Sequence, residues 1–154
     1  HLGVDRSGAI VAEVLTDGDA HDSKTALDLI DEIDDVASFT ADAAYDTIAI
    51  YDAATARGAK VIVPPRKTAT GSKRPSARDR TVRRVRKVGR RQWKKGSGYH
   101  QQARVENTFF RYKSIIGDRL RARHPELQEA EALIACNVLN RMCELGRPNS
   151  FPVK

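Results

Sequence analysis

Two stretches decide the fold: Val36-Ala37-Ser38-Phe39-Thr40-Ala41, which runs into Asp42, and Lys60-Val61-Ile62-Val63, which stops at Pro64-Pro65. Each is a short run of strand-forming residues, and proline cannot continue a strand ladder. Between them, residues 47–57 read as a helix closed by Gly58. Strand, helix, strand in that order predicts a parallel pair with a right-handed crossover.

Working outward toward the N-terminus, Leu2-Gly3-Val4 and residues 9–16 are β-prone and separated by Asp5-Arg6-Ser7-Gly8, a hairpin signal. After a polar turn at Asp17-Gly18-Asp19, Ser23 is suited to cap a helix whose apolar positions Ala26, Leu29, Ile30 and Ile33 repeat at helical spacing. In the other direction, residues 66–98 dissolve into Lys, Arg, Ser, Gly and Pro with scattered Val, a basic insertion from which no core is expected. Periodicity returns at Val105, Phe109, Tyr112 and Ile116, one stripe of a helix. A last helix runs from Pro125 to Gly146, with Pro148 beyond. Its stripe of Leu127, Ile134, Val138, Met142 and Leu145 is expected to face the core rather than a partner. The sketch is β-β-α-β-α-β, a basic insertion, then α-α, with no internal repeat.

The 154 residues suffice for one domain, taken as 1–154 with the insertion inside it. No apolar run approaches the roughly 18 residues of a membrane span, and no secretory leader is visible. Cys136 and Cys143 have no C-x-x-C spacing, so reduced thiols in a cytoplasmic protein are expected. The chain opens with His1 inside an apolar run, which suggests a segment upstream. His1, His21, His100 and His124 lack metal-ligand spacing and read as turn or surface residues.

The net charge of +7 is segregated. Residues 1–59 hold 3 Lys/Arg against 13 Asp/Glu, residues 60–95 hold 15 against 1, and residues 96–154 hold 9 against 6. A basic middle beside an acidic part suggests a polyanion partner, nucleic acid first, together with a divalent cation.

Asp42 follows a predicted internal strand at its carboxyl end, where open α/β sheets place ligand-binding groups. A turn or helix-capping role explains it equally well. Glu106 lies on the helix after the insertion, with Gln102 one turn before it, Phe110 one turn after, and Tyr99 and Lys113 two turns away. The plain alternative is a solvated helix glutamate.

Five strings, in order, carry a resemblance. They are Ala41-Asp42-Ala43-Ala44-Tyr45-Asp46-Thr47, Val61-Ile62-Val63-Pro64-Pro65-Arg66-Lys67, Tyr99 to Thr108, Ile116-Gly117-Asp118-Arg119-Leu120-Arg121-Ala122-Arg123, and Val138-Leu139-Asn140-Arg141-Met142. Together they closely resemble bacterial insertion-sequence transposases, in particular the C-terminal part of the DDE catalytic domain in the insertion-sequence-five branch, related to the insertion-sequence-four group.

The resemblance implies an α/β, ribonuclease-H-like mixed sheet with flanking helices, here without its first strand and with the basic insertion before the Glu-bearing helix. It also implies DNA strand cleavage and transfer with two magnesium (or manganese) ions held by two Asp and one Glu, and a homodimer acting on transposon ends and target DNA. Asp42 matches the second Asp and Glu106 the Glu. The helix signature of the family is matched at Tyr99, Glu106 and Lys113, whereas its Arg position holds Gln102. The first Asp is expected upstream, and without it this chain alone is expected to be inactive. Asp5, in a hairpin turn, is a poor substitute.

In this setting Lys113 is expected near a phosphate and Tyr99 near the strand being cut. Arg83, Arg84, Arg86, Lys87, Arg90, Arg91, Lys94 and Lys95 would neutralise backbone phosphates regardless of sequence. The other reading of this segment is a disordered solvated loop. Trp93 suits either stacking on an extruded base or local packing. Two further functional readings stand beside the transposase: a noncatalytic DNA-binding remnant, and another ribonuclease-H-like nuclease.

Overall fold

The computed structural model describes residues 1–16, 22–72 and 75–146, without the side chains of Asp22 and Ser23. The polar turn at Asp17, the Ser23 cap, His21 and Pro148 therefore lie outside what is described.

The hairpin forms as the sequence implies. Strands β1 (Leu2–Val4) and β2 (Ile10–Glu13) pair antiparallel, Leu2 opposite Glu13, with an irregularity after Gly3. Asp5 builds the turn itself: its Oδ1 accepts from the amides of Ser7, Gly8 and Ala9 at 2.7–3.0 Å and from the Ser7 hydroxyl. Burial pushes the Asp5 carboxyl up, but these bonds hold it below its ordinary value. Gly8, at φ +93°, supplies the left-handed corner that an L side chain rarely adopts.

Helix α1 (Asp22–Glu32) follows, then β3 (Ser38–Thr40), a 3₁₀ turn (Ala43–Tyr45), α2 (Ile48–Ala56) and β4 (Lys60–Ile62). β3 and β4 are parallel, Ser38 opposite Lys60 and Thr40 opposite Ile62, as a strand-helix-strand unit requires. Thr47 caps α2 by accepting from Ile50 N, and Gly58, at φ +76°, ends it. The core here joins Ala26 and Ile30 of α1 to Ile50 and Ala54 of α2 and Ala59, with Phe39, Tyr45 and Val61 against them.

A single mixed sheet was expected; among the described residues the strands form two separate pairs. Residues of both β1 (Leu2, Gly3, Val4) and β3 (Ser38, Phe39, Thr40) line one cavity, together with Ile30, Tyr45 and Phe109. It adjoins a larger cleft of about 610 Å³ lined by Val4, Val11, Ser38, Thr40, Ile62 and Val105.

The basic segment is not the solvated loop its composition suggests. It folds into α3 (Ala77–Val88) and α4 (Arg90–Ser97), broken at Gly89. Ser76 and Asp79 close a reciprocal capping box, and Asp79 also accepts from the amide and hydroxyl of Ser72. Val82 and Trp93 supply buried anchors. The signal was present in Ser76-x-x-Asp79 and in the good helix propensity of Arg and Lys, but charge density obscured it.

Helix α5 (Gln102–Arg111) runs into a π turn (Tyr112–Ile116), and α6 (Pro125–Leu145) closes the fold. Its buried face is Ala132, Ala135, Cys136 and Leu139, packed on Ile10, Leu2, Tyr112 and Ile116. The stripe assigned to the core faces solvent instead: Leu127 is 59% exposed, Ile134 63% and Leu145 71%. Small residues let α6 approach the hairpin closely, so the core selects the alanine-rich face. Asn140 fastens this contact, accepting from Ile10 N at 2.7 Å and donating to Ile10 O at 2.8 Å like a neighbouring strand.

Candidate active site

Asp42 leaves β3 in extended conformation and turns at once into the 3₁₀ turn. Its Oδ1 accepts from Ala44 N at 2.7 Å, so the capping role is real for one oxygen, while Oδ2 takes no protein hydrogen bond among the described residues. The side chain is exposed, as is Glu106 in the middle of α5, which forms no ion pair among the described residues.

Burial raises the Tyr99 phenol above its ordinary value, the negative charges of Asp42 and Glu106 raise it further, and Arg90 opposes them. Tyr99 lies in the 3₁₀ turn Tyr99–Gln101, just after Gly98 in left-handed conformation. Lys94 Nζ sits 4.3 Å from its ring centroid, in cation–π range, and Trp93 lies 6.4 Å away, centroid to centroid. Trp93 is 6% exposed, so its ring packs the fold here and is not presented to a base.

The loop holding Asp42 is braced by Arg66 and Asp46, which stand in the strings quoted above, and by Arg78, which the sequence did not single out. Arg66 donates to the carbonyls of Ala43 (3.3 Å) and Ala44 (2.9 Å), directly after Asp42. Asp46, with no exposed side-chain area, takes a fork-to-fork pair from Arg78 at 2.7 and 2.8 Å and a third bond from Arg66 N at 2.8 Å. The bond to Asp46 raises Arg78 above its ordinary value. The basic segment is thereby locked to the turn that carries Asp42. Nothing in spacing alone pairs Asp46 with Arg78; only the folding of α3 brings them together.

Other expected residues fall less centrally. Lys113 is exposed on the π turn and lines a separate cavity of about 300 Å³ beside Glu13, Asp118 and Arg119. Gln102 lines the cavity between β1 and β3, where its Oε1 is buried without a hydrogen-bond partner among the described residues. Arg104 donates to Gln101 Oε1 at 2.7 Å, consistent with its pointing away from Glu106.

The arginines divide into two sets. Arg86 donates to Ala69 O and Arg90 to Pro65 O, both structural ties. Arg83, Arg84 and Lys87 remain exposed on α3, and Arg80, which the sequence reading passed over, joins their face at helical spacing. Arg91 and Lys95 are exposed on α4.

Asp42 at a strand end and Glu106 on a helix are both exposed, and α3 presents a row of exposed basic side chains suited to nucleic acid. The family model described as Transposase DDE domain matches residues 1–141, and the chain belongs to that family. Membership places it in DNA transposition and suggests a nuclease or transposase enzyme; enzymes of this family generally use divalent metals. No solved structure matches the chain. Among the described residues no helix is long and apolar enough to cross a membrane.

Proposed function

We propose that this chain is the C-terminal part of the catalytic domain of an insertion-sequence transposase of the five/four branch, cleaving and joining DNA strands, with Asp42 and Glu106 as two of its three metal-binding carboxylates. The observation that carries the reading is the match of residues 1–141 to the transposase family, with Asp42 exposed at the carboxyl end of β3 and Glu106 exposed on α5.

The donor set suits an oxygen-preferring dication: both residues are exposed, and Asp42 Oδ2 and both Glu106 oxygens take no hydrogen bond among the described residues. Among the described residues no group of three or more His, Cys, Asp or Glu could hold a metal ion, so this reading requires a further ligand besides these two. Magnesium or manganese, two ions in the complete enzyme, would supply charge stabilisation for the attacking and leaving oxygens of an in-line displacement. In the ribonuclease-H-like arrangement the strand bearing the third carboxylate would lie between β1 and β3, residues of which line a common cavity. One mixed sheet would result, with that carboxylate beside Asp42.

The chain's own groups do the rest. Tyr99, a phenol that keeps its proton at neutral pH, donates its hydroxyl hydrogen to a phosphate oxygen. Lys94 places an ammonium over the same ring. Arg80, Arg83, Arg84 and Lys87 meet the DNA backbone as one helical face, giving affinity without sequence preference. Paired action on two transposon ends would follow from a homodimer, and the protein would work in the bacterial cytoplasm at the nucleoid.

The test is magnesium-dependent strand cleavage and joining by the complete transposase carrying Asp42→Asn or Glu106→Gln. Both variants should fall to background while still binding DNA. Undiminished activity in either removes that residue from the site. A second reading, a DNA-binding chain without catalysis, draws on the absence of a three-carboxylate group among the described residues. It predicts unaltered DNA binding and no cleavage with or without the substitutions.

A further inference from the structure

The loop after β4, the flank of α3 and the start of α4 line a cavity of about 250 Å³ that carries four basic side chains, Arg66, Lys67, Arg86 and Arg90, and no carboxylate. Val82, 3% exposed, and Val85 supply its apolar wall. Gly89, at φ +81°, is the corner between the two helices that brings Arg90 to the same space as Arg86.

Three of these cations are held in place by main-chain carbonyls. Arg86 donates to Ala69 O at 2.9 Å and Arg90 to Pro65 O, and Pro65 and Ala69 line the same cavity. Arg66 donates to Ala43 O and Ala44 O. A guanidinium has five N–H donors, so each arginine keeps donors to spare. None of the four basic groups forms an ion pair among the described residues. Like charges gathered without a counter-charge repel one another, and a bound anion relieves that repulsion.

This recess is separate from the row of Arg80, Arg83, Arg84 and Lys87. At about 3.6 residues per turn, Arg86 leaves α3 about a third of a turn from that row, on the side of Val82. A phosphodiester within a duplex has chain on both sides and suits the convex row. A recess with four cations suits a group that enters end-on and carries more charge.

We propose that the cavity is a subsite for a terminal phosphate monoester, about −1.5 to −2 in charge at pH 7, at the end of a DNA strand. That the phosphate belongs to DNA rests on the function proposed above; the phosphate chemistry comes from the cavity itself. The arginines offer paired N–H donors to the phosphate oxygens, and Lys67 adds a point charge. Arg66 also ties the subsite to the carbonyls directly after Asp42, so a strand end held here lies beside that loop.

Fluorescence anisotropy on the full chain, without divalent metal at pH 8, compares three kinds of single strand. One has hydroxyls at both ends; the second is the same strand with a phosphate at its 5′ or its 3′ end; the third has hydroxyl ends but two more nucleotides, which matches the charge of the second. One of the phosphorylated strands should bind about tenfold more tightly than its equal-charge control, the worth of a charge-assisted hydrogen bond. Inorganic phosphate should compete with that end and spare the control. Lys67→Ala, which breaks no hydrogen bond among the described residues, should reduce the preference, and Lys67→Ala with Arg86→Gln should abolish it, with the helical circular dichroism retained. Lys87→Ala, on the convex row, should weaken all strands alike. Equal binding of phosphorylated and equal-charge strands, or equal losses for both in the folded double variant, overturns the inference and leaves the DNA-binding reading standing. Failure of every strand to bind overturns both. Binding of inorganic phosphate with no preference for a phosphorylated end assigns the cavity to a free anion and overturns the strand-end proposal.

Discussion

Replacing Arg78 by leucine tests how firmly the loop bearing Asp42 is held. The side chain is 12% exposed and forks onto the fully buried Asp46. Removing it leaves that carboxylate in the interior with a single remaining bond, from Arg66 N. Breaking a buried pair from one side costs about 3–5 kcal/mol. That is a large part of the roughly 5–15 kcal/mol that stabilises an ordinary domain. With a urea dependence of about 1–3 kcal/mol per molar, the unfolding midpoint should fall by about 1–5 M. Replacing both partners, Asp46→Leu with Arg78→Leu, removes the stranded charge and leaves mainly the Arg66 amide without its acceptor, a cost of about 1–3 kcal/mol. The double variant should therefore be more stable than Arg78→Leu alone. Hydrogen exchange supplies a local readout: the Ala44 amide, bonded to Asp42, should lose protection in Arg78→Leu before the α6 core does. A single-variant cost below about 1 kcal/mol, or a double variant as unstable as the sum of the singles, would refute the bracing argument.

Three further outcomes follow from particular side chains. Bonds from Ser72 and Ser76 hold the Asp79 carboxyl well below its ordinary value, so its contribution is present above the unfolded value of about 3.9 and is lost as pH falls through the lower folded one. Asp79→Asn should accordingly lower the thermal midpoint at pH 7, with the gap from wild type closing toward pH 2; a gap independent of pH would contradict this. Burial pushes the Cys136 thiol up to about 11, so iodoacetamide at pH 8 should label exposed Cys143 and spare Cys136 until the chain unfolds, as peptide mass mapping would read. Replacing Arg80, Arg83, Arg84 and Lys87 together by alanine should weaken binding to unrelated DNA sequences alike and flatten its salt dependence by about four phosphate contacts. An unchanged slope would move the DNA surface elsewhere.

Local signals were enough for the hairpin, the parallel β3–β4 pair and the helix boundaries at Gly58, Pro125 and Gly146, because strand propensity, turn chemistry and capping act over a few residues. Asp42 and Glu106 were visible as candidates through the order of the strings around them. The basic segment was misread because a high density of positive charge looks the same whether a helix presents it or a loop does. The difference rests on two buried anchors, Val82 and Trp93, and on Asp79.

Which side of α6 is buried was beyond the sequence, since the helix carries two apolar faces and the hairpin accepts only the one with small side chains. The same holds for the pairing of Asp46 with Arg78 and for the bond from Asn140 to Ile10. The sequence by itself determined the elements and the chemistry they carry, because those depend on neighbours along the chain. Tertiary structure alone decided which charges meet and which apolar face stays open, because those depend on close packing between segments far apart in sequence.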